Sequence, residues 1–143
     1  MPICFQNPQD DFHVILDCTF TNQLWADIDP ILKLLNPKHL TDEEKAFGIT
    51  QKKSTTDILL RNWITYLLRE CITLEERNAF HRKPSLENVK RRFNRTWTLE
   101  IKKNILRYEK ENKLEYFEKI VTDRDVLCTK TTEGEYQITQ VFS

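Results

Sequence analysis

Glycine is nearly absent from this chain: two residues in 143, beside five prolines. An all-β fold, with its many tight turns, needs far more of both, so a mostly helical chain is expected. Long apolar runs are lacking too. None approaches the roughly 20 residues that a membrane-spanning helix requires, and no membrane partner is expected. Net charge is missing: 22 basic side chains balance 22 acidic ones, so the chain as a whole exerts no pull on nucleic acid. There is no Gly-rich phosphate loop, no HExxH pair and no paired-carboxylate motif. Three histidines and four cysteines form no nucleophile–base dyad by spacing. These absences predict a protein that is not an enzyme and takes no small-molecule substrate.

What is present suits a globular protein. Apolar residues make up 39% and aromatics 10%, too many for a disordered chain. The start, Met1-Pro2-Ile3-Cys4, lacks the basic and apolar regions of a signal peptide. The cysteines therefore read as reduced thiols in an intracellular protein, nuclear or cytoplasmic.

The first eighteen residues hold the most specific pattern. Cys4 is followed after eight residues by His13 and after four more by Cys18. Two thiols and an imidazole are three of the four ligands of a tetrahedral structural zinc. A Cys-x-x-Cys turn would place the fourth at position 1, where Met1 stands. Zinc takes thiolate, imidazole and carboxylate rather than thioether. A fourth ligand from elsewhere would be Cys71, Cys128, His81, a nearby Asp such as Asp10, or water. The competing reading is a relic: Cys18 packs in a core, Cys4 sits at a chain end and His13 is a surface residue. If zinc binds, it should bind weakly and depend on His13 and Cys18, and a Cys restored at position 1 should tighten it.

Pro2, Cys4, His13 and Cys18, with Trp25 beyond them, resemble the zinc knuckle at the C-terminal end of reverse transcriptases from LINE-type (non-LTR) retrotransposons. That family's pattern is Cys-Pro-x-Cys, a His after seven or eight residues, a Cys after four more, then a Trp-bearing helix. The acidic pair Asp10 and Asp11 and the apolar Val14, Ile15 and Leu16 fit it as well. More weakly, the segment 40–49 resembles the stretch after the knuckle. Residues 59–83, ending in Pro84-Ser85-Leu86, resemble the long helix that follows. The likeness covers about residues 2–117 and includes no polymerase palm or endonuclease segment. It implies a non-catalytic remnant of a retrotransposon reverse transcriptase, whose zinc-binding domain helps hold template RNA or target DNA.

Apolar spacing predicts four to five helices, a small N-terminal knuckle and a possible C-terminal β-hairpin. The divisions are a partial knuckle over 1–25, a helical domain over 26–121 and a tail or small hairpin over 122–143. Thr21 or Asn22 can cap a helix carrying Leu24, Trp25, Ile28, Ile31, Leu32 and Leu35, which Pro30 should kink or split. Thr41 and Glu44 make a capping-box pattern, with Gly48 as a stop, predicting a helix from Asp42 to Phe47. Asp57 can cap a third helix running towards Phe80. Ser85 caps a fourth through Leu86, Val89, Phe93, Trp97, Ile101, Ile105 and Tyr108. A fifth covers Leu114 to Val121. Strands at 126–129 and 136–141 flank a turn at Gly134.

Charge is uneven within the neutral total. Residues 82–103 carry eight basic against two acidic side chains, a net +6. Lys90, Arg91, Arg92 and Arg95 are expected to face away from Val89, Phe93 and Trp97 and to contact phosphates of RNA or DNA. The plain alternative is a solvated helix face. The rival functional class is a helical module that docks on another protein, and a third possibility is a reading frame without selected function.

Overall fold

The structure, a computed structural model, describes residues 19–49, 55–79 and 82–142. Five α-helices and a two-stranded antiparallel hairpin occupy them in chain order.

Helix α1 spans Thr19–Leu35 and buries Leu24, Trp25, Ile28, Leu32 and Leu35, a helical stripe at spacings of one, three and four. Pro30 does not split it; the helix is continuous through that position. The proline ring lies on the exposed side, and the buried residues before and after it keep one register against the core. Helix α2, Asp42–Phe47, has the expected bounds. The Thr41 side chain accepts from the Glu44 N–H, the Glu44 carboxylate accepts from the Thr41 N–H, and Gly48 ends it at φ 92°.

Helix α3 covers Thr56–Asn78. Thr55, not Asp57, occupies the capping position, and its side chain makes no cap bond. Asp57 instead lies within the first turn, where it accepts from the Thr55 hydroxyl and from the Asn36 amide at 2.7 Å. The helix stops at Asn78, short of Phe80, which lies outside the described residues. Helix α4, Leu86–Lys110, is capped by Ser85, whose hydroxyl accepts from the Asn88 N–H at 3.2 Å. Trp63 meets Trp97 with ring centroids 4.7 Å apart, and Glu75 meets the Ser85 N–H. α3 and α4 therefore run antiparallel.

Helix α5, Leu114–Val121, folds back on this pair through Phe117, which stacks on Tyr108 at 4.9 Å. A single 3₁₀ turn, Asp123–Asp125, leads to β1, Cys128–Lys130, which pairs with β2, Tyr136–Ile138, in the register Cys128↔Ile138. The strands are shorter than the apolar pattern suggests. Cys128 of β1, and Leu127, Val141 and Phe142 outside the two strands, pack into the helical core. One hydrophobic core thus joins all five of these segments: α1, α3, α4, α5 and the C-terminal stretch. The expected junction between 25 and 26 falls inside α1.

Two asparagines fasten non-helical backbone to helices by the same device. Asn62 on α3 accepts from the Ile49 N–H at 2.6 Å and donates to the Ile49 carbonyl at 3.1 Å. Asn94 on α4 does the same to Phe142, at 3.0 and 2.6 Å. Each side-chain amide imitates a strand partner and satisfies both main-chain groups of a residue far away in sequence.

Candidate nucleic-acid interface

Helix α4 is fixed from the inside. Val89, Phe93, Trp97 and Ile101 recur every four residues and are each 0% exposed. At 3.6 residues per turn, Arg91 and Arg95 lie about 160° round the helix from Phe93, whereas Lys90 is only about 60° away and Arg92 about 100°. The structure follows this geometry. Arg91 and Arg95 are exposed; Lys90 and Arg92 are half-buried at the flanks.

The two flanking residues are turned towards the protein, Lys90 with bonded partners and Arg92 by burial of its Nε. Lys90 Nζ lies 2.7 Å from Asp27 Oδ2 on α1 and 5.9 Å from the Phe142 ring centroid. Its hydrogen bond is the chief reason that the Asp27 carboxyl is held below the usual range. Arg92 has its Nε buried without a hydrogen-bond partner. Its positive charge acts on the Cys71 thiol, though too weakly to offset burial, which pushes that thiol up to about 11.

The exposed face continues beyond the four expected residues. Lys102 and Lys103, part of the basic segment but not of the expected contact set, are exposed a few turns on. Among the described residues, none of Arg91, Arg95, Lys102 and Lys103 takes part in an ion pair. From Arg91 to Lys103 the axial rise is about 18 Å, the length of about five base steps of one strand. Leu99 lies between them and Leu106 about one turn beyond Lys103, 59% and 61% exposed. Beside Arg91 and Arg95 runs a groove of about 360 Å³, bounded by Asn94, Thr98, Leu99 and Gln140. Rotation about the helix axis could have found Lys102, about 180° from Phe93; Lys103, only about 80° away, lies on the Arg92 flank by that rule and yet is exposed.

Cys4, His13 and Cys18 lie outside the described residues. Two thiolates and an imidazole fit zinc in donor chemistry. Two residues considered for the fourth ligand are now placed: Cys71 and Cys128 are 1% and 0% exposed within the core. Burial pushes both thiols up to about 11. At neutral pH, with no metal beside them, they are protonated core residues. Among the described residues, no group of three or more His, Cys, Asp or Glu could hold a metal ion, and no helix is long and apolar enough to cross a membrane. Compared with protein-family models, with curated proteins and with solved structures, the chain matches none.

Proposed function

We propose that this is a non-catalytic nucleic-acid-binding domain, a remnant of a retrotransposon reverse transcriptase, that grips phosphates with the outer face of α4. The observation that carries the reading is four exposed basic residues on α4, Arg91, Arg95, Lys102 and Lys103, with no ion pair among the described residues, in a chain of zero net charge. Contacts of this kind give affinity without reading sequence. The partial knuckle, with Cys4, His13 and Cys18, would lend a zinc-stabilised N-terminal extension to the same domain.

The test is binding of single-stranded RNA as salt rises. With all four residues changed to Gln, affinity should fall alike for every sequence. The slope of log K against log salt should flatten by about 3, since each phosphate contact on a single strand contributes about 0.7. Helicity should hold, because Gln is a good helix former and these side chains are off the core face. Changing Lys90 and Arg92 alone should alter the slope far less. A parent protein that binds no RNA at low salt, or a slope untouched by removing four charges, would retire the reading.

Leu99 and Leu106 support a second reading, a module that docks on an acidic amphipathic partner. Replacing those two leucines with Gln would then abolish docking, while RNA binding would keep its salt slope.

A further inference from the structure

Arg61 is 4% exposed and is the most buried cation among the described residues. It sits in the first two turns of α3, facing the end of α1 and the loop before α2. One Nη donates to the Lys38 carbonyl at 2.6 Å, and Nε has no partner. No described carboxylate forms an ion pair with it. An arginine stays charged when buried, and a buried charge without a counter-ion is strongly unfavourable. Among the described residues, the Arg61 charge is left without a bonded partner of opposite sign.

The carboxylate one turn away on the same helix does not serve. Asp57 is occupied by the Thr55 hydroxyl, the Asn36 amide, its own N–H and that of Ile58, which together hold its carboxyl below the usual range. Glu44 is likewise engaged, closing the capping box of α2 on the Thr41 N–H at 3.0 Å. The segment 50–54, next in sequence to both Ile49 and Thr55, contains two lysines and no acidic residue. Yet Arg61 borders a cavity of about 470 Å³, whose wall also carries Lys38, His39, Asn36 and Thr41 and the two engaged carboxylates, Glu44 and Asp57. Among the described residues Lys38 has no ion pair either. The cavity thus has two cations outside any ion pair among the described residues, Arg61 and Lys38, while its carboxylates already accept from Thr41, Thr55 and Asn36.

We infer that Arg61, with Lys38 at the rim, binds the oxyanion of a phosphate group in the cavity between the N-terminus of α3 and the α1–α2 loop. The guanidinium fork suits a tetrahedral oxyanion. The cavity has room for a larger group attached to it, so free phosphate and a phosphate monoester are both candidate sources. This site is separate from the outer face of α4 and does not depend on it.

The experiment titrates the full chain with inorganic phosphate, adenosine 5′-monophosphate and adenosine, against chloride at equal ionic strength, by calorimetry and thermal unfolding. Phosphate should bind, and Arg61→Met should weaken it by about tenfold or more. Phosphate should raise the unfolding midpoint of the parent but not of the variant. In phosphate-free buffer the variant should unfold at the same temperature or higher, because the uncompensated charge is gone. Binding of the monophosphate tighter than phosphate, with adenosine silent, identifies an attached phosphate as the ligand; equal binding identifies the free ion. No binding to the parent beyond the chloride control overturns the proposal. So does a midpoint that falls equally in both buffers on Arg61→Met, which is the result of a merely structural arginine. Should Arg61→Met fail to fold, Arg61→Lys carries the same comparison, with weakened phosphate binding expected and unchanged binding overturning it.

Discussion

Changing Phe142 to Ala is expected to destabilise the protein by about 3–5 kcal/mol, the usual range for emptying a buried aromatic site. A domain of this kind has only about 5–15 kcal/mol in total. The effect is large because the residue is anchored three ways. Its ring, 3% exposed, meets Phe93 edge-on at a centroid distance of 5.2 Å. Lys90 lies over the same ring, at 5.9 Å from its centroid. Its N–H and carbonyl are both bonded by the Asn94 side chain. Asn94→Ala should cost a similar amount, about 1–3 kcal/mol for each of the two main-chain groups left unsatisfied, and should act on the same strap. The double variant should therefore lose less than the sum of the two single losses. Urea unfolding followed by tryptophan fluorescence measures all three. A midpoint unmoved by Phe142→Ala would mean that the C-terminal segment is not part of the core.

This strap shows where sequence reading stops. Helices α2 and α5 have the bounds that local pattern predicts, because a capping box and an apolar repeat act over three or four residues. Along α4 the repeat of Val89, Phe93, Trp97 and Ile101 is just as local. The Asn94–Phe142 and Asn62–Ile49 clamps bridge 48 and 13 residues and leave no periodic trace. Pro30 misleads because its usual penalty competes with burial of Ile28, Leu32 and Leu35 on the other face. In the candidate interface, counting charge along the chain locates the basic helix, and the 100° step per residue then separates Arg91 and Arg95 from Lys90 and Arg92. The step from Arg61 to a cavity could not be read at all. In sequence it is one basic residue inside an apolar stripe, and only its surroundings reveal the missing counter-charge.

Arg82→Ala is expected to destabilise the protein by about 3–5 kcal/mol, while Glu75→Leu should be close to neutral or even stabilising. The asymmetry comes from burial. Glu75 is 0% exposed near the end of α3, and its Oε1 accepts from the Arg82 guanidinium and, at 3.4 Å, from the Ser85 N–H. Its Oε2 has no partner. Arg82 keeps 43% of its side chain in solvent. Removing the arginine strands a carboxylate inside the protein; removing the carboxylate returns an arginine to water and fills its place with methyl groups. The Ser85 N–H is the one group the leucine leaves behind, and Ser85 still caps α4 through its hydroxyl. In the double variant, Arg82→Ala should therefore add almost nothing to Glu75→Leu, a coupling of several kcal/mol measurable by chemical unfolding. Equal losses from the two single variants would show that the carboxylate is wetter than its burial indicates. The pair also pins the turn from which α4 departs, so the comparison bears on function. If the outer face of α4 binds RNA as proposed, Glu75→Leu should leave the salt dependence of binding unchanged, because it moves no charge that faces the phosphates.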